Sequence, residues 1–151
     1  MVKVALIGAG SAVFAQRMIT DILAIDGLDS GTFALVDLDT ERLELAHEVA
    51  EQTIISAGKL WTVQATTERR NVLSGCDYVI NMIEVGGLAN VYSDYAIPLK
   101  YGVDQCIADT IGPGGISNIY APHHPGSLCV AILKNSAHAH WLSTIAIRCP
   151  P

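Results

Sequence analysis

Gly8 and Gly10 follow directly on the apolar run Val2 to Ile7, and they are the residue type that lets backbone come close to a phosphate. In a dinucleotide-binding turn the first glycine permits the tight bend and the second admits the pyrophosphate; a third lets helix and strand pack closely. Val13 stands where the third belongs, so the two ligand-facing roles are kept and only the packing role is given up. Ser11 adds a hydroxyl at the start of the following helix, whose N–H groups would face the phosphates. Asp37 ends the next strand-like run. An acid there reads adenosine ribose hydroxyls and favours NAD over its 2′-phosphorylated form. It lies further from the glycines than the usual spacing of about 20 residues, and the loop from Asp26 to Gly31 takes up the excess. The glycine turn alone would serve equally well in a fold that binds no nucleotide; Asp37 tips the reading towards a nucleotide site. Asp39 reads either as a second ribose contact or, ahead of an N-cap at Thr40, as a solvated turn acid.

These residues need elements to hold them. Val2 to Ile7 is short and rich in branched side chains, as suits a parallel strand buried on both faces. From Ser11 to about Ile25 a helical stripe runs through Val13, Phe14, Met18, Ile19, Ile22 and Leu23. Thr32 to Val36 reads as a second strand, and Leu43, Ala46, Val49, Ala50 and Ile54 as the buried stripe of a second helix. Leu60 to Ala65 is a third strand with polar flanks, placed near a sheet edge. A short helix through Val72 and Leu73 and a fourth strand over Asp77 to Ile83 follow, then the loop Glu84-Val85-Gly86-Gly87. Alternating strands and helices predict an α/β fold: a Rossmann-like, doubly wound parallel sheet.

Composition narrows the function classes. With 151 residues, half of them apolar, one core is expected, and no run nears the roughly 20 residues of a membrane span. Met1-Val2-Lys3-Val4 passes straight into a strand, leaving no room for a signal peptide, so a soluble, cytoplasmic protein is expected. A net charge of −6 with one basic pair, Arg69-Arg70, argues against a nucleic-acid face. Cys76, Cys106, Cys129 and Cys149 are irregularly spaced, which suits reduced thiols better than disulfides or a zinc site.

Five segments carry a more specific likeness: GAGSAVF at 8–14, LVDLDTERL at 35–43, VGG at 85–87, IPLKYGVDQ at 97–105 and DTIGPGGI at 109–116. In this order they resemble the NAD-dependent glycoside hydrolase family 4, particularly its α-galactosidases and α-glucosidases. The resemblance covers residues 1 to about 116 and implies a glycosidase of carbohydrate metabolism that departs from the usual carboxylate pair. It implies redox-assisted elimination: NAD oxidises the sugar 3-hydroxyl, and a divalent metal, typically manganese, polarises the new carbonyl. A base removes the acidified 2-hydrogen, the aglycone leaves, water adds and the hydride returns. Carried onto this sequence, Gly8, Gly10, Ser11 and Phe14 would cradle the cofactor and Asp37 would hold its ribose. Glu84, after the fourth strand, would lie towards the nicotinamide or else be a surface loop acid. Asp109 and Thr110 would approach sugar hydroxyls, a plain turn being the rival. The resemblance further implies an α-linked sugar substrate and, in full-length members, a homo-oligomer. The metal ligands and catalytic base of the family lie beyond the matching portion, so catalytic and metal residues stay unassigned.

After Ile116 the character changes. Residues 117–151 hold no Asp or Glu and four of the five histidines, a divergent, irregular tail behind a nucleotide domain of residues 1–116. Codons for Ala121 to Gly126 read from the second base permit Leu-Arg-Thr-Ile-Pro-Val, close to the family's own continuation, as a frameshift would produce. A metal site built from His123, His124, His138 and His140 is a rival account, less favoured because no carboxylate accompanies them. The chain is thus expected to be an incomplete enzyme, inactive by itself. The competing function is an NAD-binding dehydrogenase-like or regulatory module without hydrolase chemistry, and only the DTIGPGG segment separates the two.

Overall fold

The structure is a computed structural model, and it describes residues 1–11, 13–83, 87–105 and 112–113. Four strands, β1 (Val2–Ile7), β2 (Ser30–Val36), β3 (Leu60–Thr66) and β4 (Tyr78–Asn81), form one sheet in the order β3-β2-β1-β4. All three pairings are parallel. The chain steps outward from β1 to β2 to β3 and then returns to the other side of β1 for β4. This is the strand reversal of a Rossmann-like sheet, as the alternating pattern predicts. β3 stands at an edge, as expected from its polar flanks.

Side chains alternate across the sheet. On one face Val4 and Leu6 of β1, Phe33 and Leu35 of β2 and Trp61 of β3 join a core cluster with helices α1 (Phe14–Leu23) and α2 (Thr40–Ala57). Helix α1 delivers Ala15, Ile19 and Leu23 to that cluster at four-residue spacing; α2 delivers Leu43, Ala50 and Ile54. The Phe33 and Trp61 rings stack with centroids 4.3 Å apart. Gly31 makes room for this stack: a Cβ there would stand 2.6 Å from the indole and 2.7 Å from the Val2 carbonyl oxygen. On the opposite face Ala5, Ile7, Ala34, Val36 and Val79 are also buried, which explains why Val4 to Ile7 and Phe33 to Val36 read as continuous apolar runs.

Two reciprocal bonds set the register of β4. The Lys3 N–H donates to Asp77 Oδ2 at 2.8 Å, and the Asp77 N–H donates to the Lys3 carbonyl at 2.9 Å. Asn81 is thereby placed opposite Ile7, the residue before the glycine turn. Between β3 and β4 the single turn of α3 (Arg70–Leu73) buries Val72 and Leu73, with Arg70 at its exposed start.

The described chain falls into two compact units, Met1–Met82 in the first and residues 83, 87–105 and 112–113 in the second. The second contains α4 (Gly87–Leu99), where Gln105 Nε2 donates to the Asp94 carbonyl at 2.7 Å. The glycine pair 86–87 reads as loop, yet Gly87 already belongs to this helix. Pro98, one residue before the helix ends, has no N–H to give the Asp94 carbonyl, which takes the Gln105 amide instead. The boundary at residue 116 and the tail 117–151 lie outside the described residues.

Candidate functional site

The glycine turn is tied to the tip of β2 through backbone bonds. The N–H groups of Gly8 and Ala9 both donate to the Val36 carbonyl, at 2.8 and 3.0 Å. Gly8 adopts φ +85°, a conformation that costs residues with a Cβ far more than glycine. The Gly10 N–H then donates to Asp37 Oδ2 at 2.8 Å, while Asp37 Oδ1 accepts from the Asp39 N–H at 3.0 Å. Each carboxylate oxygen has room for a further hydrogen bond, so the group that holds the turn can also accept from a diol.

Gly10 is demanded by this contact. A Cβ on it would lie 2.8 Å from Asp37 Oδ2 and 2.9 Å from Arg42 Cβ, inside the range that real contacts avoid. Gly10 therefore stays bare backbone at the tip of β2, as the second glycine of a dinucleotide turn does.

Helix α1 points its start at the same place. It is preceded by Val13, has no side-chain cap and carries no acid in its first turn. The N–H groups of Val13 and Phe14 have no acceptor among the described residues, leaving donors and the positive end of the helix dipole for an anion. The sequence pattern suggests a helix from Ser11; the structure begins it at Phe14. The difference has a cause: the Ser11 N–H closes the turn onto the Gly8 carbonyl at 3.2 Å, and the Ser11 carbonyl instead receives the Ala15 N–H at 3.1 Å. Ser11 and Phe14 are both half-buried. Val13, in the third-glycine position, is 52% exposed, and Ala15, at 3%, takes the close contact with the core. A valine is accommodated there because it faces out.

Asp39, read as a turn acid, has a structural task. It is the N-cap of α2, accepting the Arg42 N–H on Oδ1 at 3.2 Å, with Arg42 Nε 3.3 Å from Oδ2. Thr40, expected as the cap, is the first helical residue.

One residue goes unremarked in the sequence reading. Asn81 ends β4 and is 5% exposed, and neither its amide nitrogen nor its carbonyl oxygen has a hydrogen-bond partner among the described residues. An unpaired buried amide costs about 1–3 kcal/mol, so it is a feature that needs a partner. Its only sequence signal is a lone amide inside the apolar run DYVINMI.

Cys76 is buried and free, its thiol donating to the Val72 carbonyl at 2.9 Å. Burial pushes this thiol above its ordinary range; the Lys3 charge opposes the shift and Asp77 adds to it. A raised pKa suits a structural thiol and not a nucleophile. Among the described residues no three side chains of the His, Cys, Asp and Glu type gather to hold a metal, and no helix is long and apolar enough to cross a membrane. Glu84, Asp109 and Thr110 lie outside the described residues, as do the four tail histidines and the remaining cysteines. The described site thus unites Gly8, Gly10, Ser11, Phe14 and Asp37.

A model of family 4 glycosyl hydrolases matches residues 3–122. An α-galactosidase of Rhizobium meliloti is 47% identical over 115 residues, which are 76% of this chain and 23% of that protein. Another α-galactosidase, from Bacillus subtilis, is 38% identical over 77% of this chain and 27% of its own length. The chain therefore spans about a quarter of these curated relatives. Among solved structures, a 6-phospho-β-glucosidase of Thermotoga maritima with NAD and glucose-6-phosphate superposes with a TM-score of 0.72. It is 20% identical and is covered over 34% of its length by 96% of this chain. At that identity the likeness speaks for the fold.

Proposed function

Because the chain belongs to family 4 of the glycosyl hydrolases, we propose that residues 1–116 are the NAD-binding portion of a glycosidase acting on an α-linked galactoside or glucoside. The observation that carries the reading is the Asp37 carboxylate, bonded to the Gly10 N–H beside the uncapped start of α1. It combines an acceptor for ribose hydroxyls, a bare backbone surface and unpaired N–H donors, which together suit an unphosphorylated adenosine ribose followed by a pyrophosphate.

In this reading the residues present bind and orient. Asp37 accepts from the ribose and repels a 2′-phosphate; Gly8 and Gly10 admit the pyrophosphate; Val13 and Phe14 N–H groups donate to it; Ser11 adds its hydroxyl. By the resemblance, Glu84 would serve the nicotinamide side and Asp109 and Thr110 the sugar, all three lying outside the described residues. When bound, NAD would supply reversible hydride acceptance and a divalent metal such as manganese a Lewis acid, the chemistry that acidifies a sugar C–H beside an oxidised carbon and permits elimination. Among the described residues no three side chains of the His, Cys, Asp and Glu type gather to hold that metal. Catalytic base and metal ligands belong to parts of the family architecture beyond residue 116, so residues 1–116 bind cofactor without turning over substrate. A homo-oligomer is the expected state of the full-length enzyme. A cytoplasmic setting suits the buried free thiol and the nucleotide.

Calorimetric titration of the purified chain tests the proposal. NAD should bind and NADP should bind about tenfold or more weakly, since its added phosphate meets a carboxylate. Equal affinities, or no binding of NAD, would overturn it. Release of p-nitrophenol from p-nitrophenyl α-galactoside with NAD, manganese and reductant would overturn the placing of the base and metal ligands beyond residue 116.

A further inference from the structure

Asn81 occupies a particular place in the sheet. It is the last residue of β4, it pairs with Ile7, and the Met82 N–H donates to the Ile7 carbonyl at 2.8 Å. Gly8 follows Ile7 at once, so Asn81 stands about one strand spacing from the start of the glycine turn. The order β3-β2-β1-β4 makes the β1/β4 boundary the point where the sheet reverses, and ligands of such sheets bind outside the strand ends at that point. Ile80 and Met82 join the cluster under α1 and α2, so the alternation puts the Asn81 amide on the other face. The amide is buried with two donor hydrogens and an acceptor oxygen unused. The apolar neighbours in β4, Val79 and Ile80, would be the ordinary choice for such a position.

Resting on the reading of the site as one for NAD, we propose that Asn81 is a cofactor-contacting residue for the nicotinamide half of the dinucleotide, its amide exchanging hydrogen bonds with the hydroxyls of that ribose. Asp37 at the tip of β2 and Asn81 at the tip of β4 then hold the two riboses on opposite sides of β1. The carboxylate accepts from one diol; the amide both donates to and accepts from the other. Without cofactor the amide is an unpaired buried group, so its presence weakens the empty fold and strengthens the loaded one.

The test separates the two halves of the ligand. Asn81→Leu keeps the volume and removes all hydrogen bonding. It should lower NAD affinity about tenfold and leave the affinity for ADP, which has only the adenosine half, within about twofold. The melting temperature of the empty variant should equal or exceed that of the unmodified chain. In the unmodified chain, NAD but not ADP should shift the Asn81 side-chain NH2 resonance in a 15N spectrum, a readout that survives if the variant fails to fold. Unchanged NAD affinity in a folded variant, an equal loss for NAD and ADP, or an unmoved NH2 resonance would overturn the assignment and leave Asn81 as a buried water site. Failure of the unmodified chain to bind NAD would instead remove the reading on which the assignment rests.

Discussion

Asp37 and Gly10, 27 residues apart in the chain, meet through a 2.8 Å hydrogen bond from the Gly10 N–H to Oδ2. One carboxylate therefore shapes the glycine turn and, in the proposed reading, also offers acceptors to a ribose. Asp37→Ala leaves the Gly10 and Asp39 N–H groups without their acceptor and should weaken NAD binding about tenfold. Asp37→Asn keeps one acceptor oxygen and loses the negative charge, so the preference for NAD over NADP should shrink even where NAD affinity is partly retained. Paired titrations with both nucleotides check this, and an unchanged ratio would remove Asp37 from the ribose role.

Gly10→Ala tests the same contact from the other side. The new methyl has no space between Asp37 Oδ2 at 2.8 Å and Arg42 Cβ at 2.9 Å, so the turn must open or α2 must shift. Overpacking of this kind costs about 1–3 kcal/mol, readable as a lowered urea midpoint. NAD affinity should fall with it, because the displaced backbone is the surface that meets the pyrophosphate.

Asp39→Ala should destabilise the fold by about 1 kcal/mol through loss of the α2 cap. Asp39→Asn should recover most of that. NAD affinity should stay near that of the unmodified chain in both, which distinguishes a cap from a ribose ligand; a large loss of affinity in Asp39→Asn would restore Asp39 to the site.

Burial raises the Cys76 pKa in the folded protein above that of the unfolded thiol, about 8.5. The unfolded state releases its proton first, so the stability associated with the neutral thiol is complete below that pH and is lost as pH rises through the folded value. Urea unfolding at pH 7 and pH 9.5 should therefore show a steeper loss for the unmodified chain than for Cys76→Ala. Parallel losses would mean that other groups set the alkaline limit.

Much of this protein is decided locally. Val4 to Ile7 and Phe33 to Val36 are apolar without a break, which suits strands buried on both faces. Gly8, Gly10 and Asp37 fit the pattern of a dinucleotide turn because each answers a short-range requirement: a left-handed bend, a missing side chain, a charge at a strand tip. The family was legible for the same reason, in segments such as LVDLDTERL.

Other features depended on which groups meet in three dimensions. The choice of Asp39 over Thr40 as cap follows from where α2 starts, beside the Asp37 carboxylate that accepts both the Gly10 and the Asp39 N–H. Val13 reads as a defect in a glycine motif until the helix turns it outward and lets Ala15 face the core. Asn81 is one polar letter in an apolar run. Only the pairing of β4 with β1 puts it beside the glycine turn, and only burial leaves its amide unpaired. Sequence patterns encode what neighbours along the chain require of each other. A hydrogen-bond partner that is missing across the sheet is a property of the packed fold, and it exists nowhere in the order of the residues.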